Sequence, residues 1–460
     1  MVNVIGDIAS NDLCVGCGVC VAVCPDEIIK IRTDEHGEYK PYLKQACMRD
    51  CGLCYRVCPF GDGNPDEDAI GKEKYGSTPR ILHDMAVGYY LESYVGHVAS
   101  ELRRERSASG GLATWLLTTL LLKNHIDEAI CVTPSNEPDT LFKYSTMKNV
   151  KEIESSSGSA YYPVQLSDVL SYVMSKPGRY AITALPCFAK GIRLAQSRNK
   201  VLRERIVCII GITCGQMKNK QYTGYIAALS GVYGQLTKVH YRGKANDRSA
   251  SNYYFSCEDM DGKTGKRFWD EGISEAWHSR CFTLNACNYC DDIFAECADV
   301  VCMDAWLPEY SSDWRGTSFA LVRSPRLNNL IEDGVKTGEL IVASMLVDRI
   351  VQSQNELVRF KRQEISTRLW VAKKEGEVVP IKRVHARRCF DPLVIKKTGL
   401  LRTMQEQSKV TTPETSDERR LALARLSDSM IAKLGCLHLV QKILIITRAP
   451  SVIVGKIRNP

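Results

Sequence analysis

From residue 85 to 330, short apolar runs alternate with helical patterns. In "RYAITALPCFAKGIRLA" (179–195) a strand-like run reaches Cys187 and a helix follows. In "RIVCIIGITCGQMKN" (205–219) a second run ends near Cys214, again with a helix after it. Strand–helix–strand spacing of this kind predicts neighbouring parallel strands in an α/β domain. Both cysteines then fall at the carboxyl ends of strands, the edge at which open α/β sheets bind cofactors. An almost wholly apolar helix is predicted after "RSASGG" (106–111). Beyond 330 the pattern turns helical. "PETSDERRLALARLSDSMIAKLG" has a helix start at Thr415 or Ser416, acids early, and Gly435 as a stop.

The resulting fold class is an α/β core with a mostly parallel sheet. A small α+β domain of bacterial-ferredoxin type precedes it, and a helical basic tail follows. The expected boundaries are 1–62 for the first domain, 63–84 for a linker rich in Gly, Pro and Asp, 85–330 for the core and 331–460 for the tail.

Composition changes this picture at two points. The chain has 460 residues, 44% hydrophobic and 25% charged, as an ordinary globular protein would. It also has 20 cysteines. No export signal is visible at the start, so a cytoplasmic location is expected, with thiols serving as metal ligands or redox groups. The charge of +8 is uneven: residues 341–460 hold 23 Lys and Arg against 11 Asp and Glu. Such a region docks on an acidic partner or an anionic membrane surface, or is simply solvated. Aromatics are not interleaved with the basic residues, which argues against nucleic acid. The apolar segment 436–460, with its scattered Lys and Arg, is read as packed on the core, with peripheral membrane contact as the alternative.

The chemistry starts with "CVGCGVCVAVCP" and "CMRDCGLCYRVCP". Cys14, Cys17, Cys20 and Cys24 follow the C-x2-C-x2-C-x3-C-P run of bacterial ferredoxins. Cys47, Cys51, Cys54 and Cys58 differ from it by one inserted residue. In such pairs the fourth cysteine of each run ligates the other cluster. One [4Fe–4S] cluster is therefore expected on Cys14, Cys17, Cys20 and Cys58, and a second on Cys47, Cys51, Cys54 and Cys24. Structural zinc, which needs only four thiolates, is the weaker reading. A later pair, Cys287 and Cys290, lies in "TLNACNYCDDIFAECADVVCMDAW". With Cys187 and Cys214 it makes a third four-cysteine set. A lone Cys-x-x-Cys also serves as a dithiol redox pair, and Cys281, Cys297 and Cys302 are alternative ligands. Cys131, Cys208 and Cys257 read as buried core thiols.

Ser107, Ser109, Gly110 and Gly111 stand before the apolar helix, where small residues let a phosphate approach backbone N–H groups. An ordinary serine cap on a buried helix fits the same residues. "SSSGSAYYPV" (155–164) is a second small-residue turn.

Taken together, "SASGG", "GSAYYPV", "ALPCFAKGI", "IGITC" and "CNYCDDIFAECADVVCMDAW" resemble the coenzyme F420 hydrogenase/dehydrogenase beta-subunit family. The two ferredoxin runs resemble its longer members, and plant 7-hydroxymethyl chlorophyll a reductase is a relative of the same core. The resemblance implies FAD beside a [4Fe–4S] cluster on Cys187, Cys214, Cys287 and Cys290. It places FAD contacts near Ser107, Ser109, Gly110, Gly111, Gly158 and Ser159, with Pro186 on the same cofactor edge. Ala184 and Leu185 stand where the family often has Gly-Thr, and Met303 where it often has Gly. The implied function is an iron–sulfur flavoprotein oxidoreductase. It would pass electrons between a ferredoxin-like or other redox partner and FAD, with hydride exchange to coenzyme F420. The alternatives are the same redox core acting on another organic substrate, or a non-catalytic electron-transfer subunit. Lys190 is the expected catalytic residue, with Arg242 and Lys244 as further basic groups near the flavin.

Overall fold

The computed structural model describes residues 2–49, 51–137, 139–409, Arg425, Ser429 and 432–443. Its centre is an eight-stranded sheet. In chain order the strands are β1 (Glu92–Val98), β2 (Glu128–Pro134), β3 (Phe142–Met147), β4 (Tyr180–Ala184), β5 (Ile206–Ile212), β6 (Val300–Asp304), β7 (Ser318–Val322) and β8 (Leu340–Ser344). Their spatial order is β8-β1-β7-β6-β5-β4-β2-β3. The inner pairs β6–β5, β5–β4 and β4–β2 are parallel. The pairs towards both edges are antiparallel. The sheet is therefore mixed, with β1, β2, β4, β5 and β6 running one way. The expected parallel neighbours are β4 and β5, in register from Ala181 opposite Cys208 to Ala184 opposite Gly211.

Alternation along the strands divides two apolar layers. Cys208, Ile210, Val300 and Cys302 face a layer with Leu116 and Leu120 of α1 (Leu112–Leu122) and Leu327 and Leu330 of the helix Pro325–Lys336. Ile209, Val301 and Met303 face the opposite layer, which holds Phe188 and Ile192 of α2 (Pro186–Arg198). Successive strand residues point to opposite faces, so both faces are apolar and both are covered.

The N-terminal unit joins the second layer. It has a hairpin, Ile29–Thr33 with Tyr39–Leu43, and two one-turn helices, Val19–Ala22 and Leu53–Arg56. Each helix is entered through a left-handed glycine, Gly18 at φ 76° and Gly52 at φ 55°. The unit is welded to the core: Leu166 donates its N–H to the carbonyl of Cys17 at 2.8 Å. A Cβ on Gly191 of α2 would stand 3.2 Å from a Val19 methyl, so the glycine permits that approach.

Three expectations need correction. The segment 63–84 is not a loose linker. Glu67–Tyr75 forms a helix capped by Asp66, whose side chain accepts from Ala69 N–H, and Glu67, Ile70 and Tyr75 are buried. The region after 330 is not a tail: β8 completes the sheet, and the helices Ile365–Lys374 and Pro392–Gln407 pack on the core. Gly435 lies inside a helical stretch, 432–443, rather than ending one. Thr415, Ser416 and residues 444–460 lie outside the described residues. Among the described residues no helix is long and apolar enough to cross a membrane.

Candidate metal centres and cofactor cradle

Cys14, Cys17, Cys20 and Cys58 line one cavity, together with Val4, Ile8, Val57 and Phe60. This is the crossed set expected from the spacing. The chain turns tightly here: Gly16 is at φ 67°, and its N–H donates to Cys14 Sγ at 3.3 Å. Burial, then the neighbouring Cys17, Cys14, Cys58 and Cys54, push the Cys20 thiol well up. Burial also raises Cys54, with Cys51 and Cys24 adding to it. Cys47 Sγ donates to the carbonyl of Arg49 at 3.3 Å.

The third set also converges. Cys187 is the second residue of α2, just past β4, and Cys214 lies two residues past β5. Cys287 and Cys290 arrive on the turn Asn285–Tyr289 and its end. That segment runs against the chain after β5. Met217 N–H donates to Cys287 Sγ at 3.3 Å, Leu284 N–H to the carbonyl of Met217, and Cys214 N–H to that of Ile293. Burial, then Cys290, Cys214, Cys287 and Cys17 in that order, push the Cys187 thiol well up. Burial likewise pushes the Cys214 and Cys287 thiols up. Among the described residues no group of three or more His, Cys, Asp or Glu side chains is placed to hold a metal ion. Cys281, Cys297 and Cys302 are buried elsewhere: Cys281 beside Ser279, Cys302 in the other apolar layer. Cys131, Cys208 and Cys257 are buried as core thiols.

The first cavity lies against α2: a Cβ on Gly191 would stand 3.2 Å from Val19 and 3.8 Å from Pro59, which lines that cavity. Tyr144 donates to the carbonyl of Thr183 at 3.0 Å, at the end of β4.

The small-residue turns meet each other. Ser157 Oγ donates to Ser107 Oγ at 3.2 Å. Ser109 Oγ donates to the carbonyl of Thr317, and Gly110 N–H to Ser318 Oγ, both across to the start of β7. A Cβ on Gly110 would stand 2.6 Å from the Gly96 carbonyl oxygen. Gly111, at φ 85°, opens α1, whose first-turn N–H groups have no partner within the helix. Gly158 has open space where a Cβ would be. These turns meet at the carboxyl ends of the strands that run together.

Lys244 holds the cradle. Its Nζ donates to the carbonyls of Arg104 (2.7 Å), Ser109 (3.0 Å) and Arg315. Burial, then the Arg242 charge, bring it down to about 7. Arg242 forms a two-pronged pair with Asp304 at 2.8 and 2.9 Å and lies over Tyr253 and Trp306. A ring contact of 4.9 Å joins Tyr161, next to the Gly158 turn, to Trp277, whose carbonyl accepts from Gln216. The cradle and the Cys214 loop are thus one ring system apart.

Lys190 is elsewhere. Its ammonium pairs with Glu67 at 3.3 Å, and both are buried. It belongs to an ionic cluster in which Arg383 meets Glu67, Asp291 and Glu296, Lys382 meets Asp291, and Arg362 meets Glu296. The expected catalytic role is therefore withdrawn: Lys190 balances charge between the 67–75 helix and α2. Pro186 opens α2, one residue before Cys187.

Two further cations at the core thiols, Lys361 and Arg280, are not among the residues expected from the sequence. Lys361 Nζ donates to Cys290 Sγ at 3.2 Å and to the carbonyl of Asp292 at 2.7 Å. Arg280 and Arg368 both stack on Phe360, at 3.9 and 3.6 Å. Nothing local in the sequence separates these cations from surface charges.

Paired cysteine runs beside a converged third set define an iron–sulfur protein of the electron-transfer class, and residues 13–61 match the 4Fe-4S dicluster domain. Residues 93–171 match the N-terminal part, and residues 178–346 the C-terminal part, of the coenzyme F420 hydrogenase/dehydrogenase beta subunit. Together these matches span more than half of the chain, which belongs to that family. It is 25% identical over 219 residues to one of the subunits of the F(420)H(2) dehydrogenase of Methanosarcina mazei, covering 46% of this chain and 55% of that protein. It is 23% identical over 315 residues to the coenzyme F420-dependent sulfite reductase of Methanocaldococcus jannaschii, covering 64% of this chain and 43% of that one. The chain thus spans about half the length of these relatives. A chain of the F420-reducing [NiFe] hydrogenase complex from Methanosarcina barkeri overlaps it with a TM-score of 0.49 at 16% identity, over 63% of this chain and 96% of that one.

Proposed function

We propose that this chain is an iron–sulfur flavoprotein oxidoreductase. It would join a one-electron partner, such as a ferredoxin-like protein, to a substrate that exchanges hydride, such as coenzyme F420. The observation that carries the reading is the meeting of the Cys287–Cys290 turn with the chain after β5 that bears Cys214, while Val19 and Pro59 of the N-terminal unit pack against α2, which bears Cys187. Adjacent cages make one path from the N-terminal unit into the core.

In this reading Cys14, Cys17, Cys20 and Cys58 hold the first cage, and Cys24, Cys47, Cys51 and Cys54 the second. The four core cysteines hold the third. FAD, when bound, exchanges single electrons with clusters and hydride with substrate, which is the chemistry the cysteines cannot supply alone. Ser107, Ser109, Gly110, Gly111, Gly158 and Ser159 would hold its diphosphate, at the positive end of α1. Lys244 fixes the carbonyl side of that cradle. Arg242, kept protonated against its burial by Asp304, offers a buried cation beside Tyr253 and Trp306 for an anionic group of flavin or substrate.

The test is reduction of the anaerobically purified protein by the reduced deazaflavin and by other two-electron donors. Flavin bleaching within the mixing time by the deazaflavin alone supports F420. Bleaching by another donor alone assigns a different organic substrate. Flavin that no small molecule reduces, but that a reduced ferredoxin does, assigns a subunit that only transfers electrons.

A further inference from the structure

Cations from separate stretches of chain enclose the core thiols, and two of them have no carboxylate to answer to. Lys361 donates to Cys290 Sγ. Arg280 is 6% exposed, and its Nε and one terminal nitrogen are buried without a protein partner. Its charge acts on Cys287, Cys214 and Cys290. Its backbone sits at φ 63°, a conformation that disfavours any residue with a Cβ. A glycine would relieve that cost, so the guanidinium is kept at the expense of local strain. Of the acids nearby, Asp291 faces Lys382 and Arg383 and Glu296 faces Arg362 and Arg383, while Asp292 accepts from Glu296 N–H through one oxygen and keeps the other buried without a partner. The first cavity differs: Lys40, the cation near Cys14, is shared between Asp12 at 2.6 Å and Glu38 at 2.9 Å.

Reducing a cage by one electron adds one negative charge to it. Hydrogen bonds to its sulfurs and nearby positive charge favour that state. We propose that Arg280 and Lys361 donate to sulfur atoms of the third cage and hold it at a higher reduction potential than the first N-terminal cage. Electrons then collect at the core site, next to the flavin cradle. This inference rests on the reading that the four core cysteines hold a [4Fe–4S] cluster, and it assigns Arg280 and Lys361 as positioning residues rather than catalytic ones.

The experiment is a potentiometric titration of the anaerobic holoprotein followed by electron paramagnetic resonance, with iron counted in the same sample. The core signal should appear before that of the first N-terminal cage on reduction. Lys361→Met and Arg280→Gln should each lower its reduced-to-oxidised ratio about tenfold at fixed potential, or about 59 mV for one electron. The other two signals should stay in place, and Lys361→Arg should restore most of the shift. About eight irons per chain would remove the third cage itself, and the tuning with it. About twelve irons with a core signal that moves in neither variant would overturn the tuning alone. If a substitution loses iron, the order of reduction in the unaltered protein decides: a core cluster reduced after the first N-terminal one contradicts the proposal.

Discussion

In the first cavity three of the four cysteines come from one stretch, Cys14 to Cys20, and apolar side chains close the walls. In the core site four cysteines come from three segments, and buried cations from a fourth and fifth stand around them. The N-terminal sites are carried by local spacing, so they need little beyond a tight turn and a crossing cysteine. The core site exists only when β4, β5 and the 283–293 segment are packed together. Damage to packing at residues that touch none of the four core-site cysteines should therefore empty the core site and spare the other two.

The largest such effect is expected from Arg193→Met. Arg193 pairs with Asp299 at 2.9 Å, both buried, and donates to the carbonyl of Cys297. Asp299 in turn accepts from Ile209 N–H of β5 at 2.7 Å. Removing one partner of a buried pair costs about 3–5 kcal/mol. Chemical denaturation should show that loss, and iron analysis should show the core cage depleted first. Equal loss from all three sites would break the comparison.

Phe360→Ala should cost somewhat less, about 2–4 kcal/mol for two buried cation–ring contacts. It frees Arg280 and Arg368 together, and should shift the core cluster's resonance signal while the N-terminal signals keep their shape. Gly110→Ala acts at the cradle instead. Its new methyl would crowd the Gly96 carbonyl, for about 1–3 kcal/mol. Flavin content should fall while iron content holds.

The last effect is one of pH. Lys244 has a pKa of about 7 in the folded chain and the ordinary 10.5 when unfolded. Between those values the unfolded chain binds more protons, so stability contributed here rises as pH climbs from about 7 to about 10. Lys244→Met should flatten that rise in denaturation midpoints measured across the window.

Local chemistry was legible along the chain. The crossed assignment of Cys58 to the first cavity follows from run spacing alone, and the cavity lining agrees. Cys187 and Cys214 were legible as strand-end residues because β4 and β5 are apolar and short. The 67–75 helix was not, because its buried face includes Glu67, which reads as solvent-facing until Lys190 and Arg383 are placed against it. Lys190 itself misled for the same reason: its partner lies on a segment that looked like a linker. Lys361 and Arg368 were hidden in a basic region, where charge marks a surface unless a distant thiol or ring buries it. β8 is not legible because it is an edge strand of five residues in which only Leu340 is buried.

The central claim is that scattered core cysteines make a third cage beside the first. It is tested most directly by iron and sulfide analysis of the anaerobic protein alongside Cys214→Ser. The account predicts about twelve irons in the unaltered chain and about eight in the variant, with the N-terminal signals unchanged. About eight irons in both would contradict it.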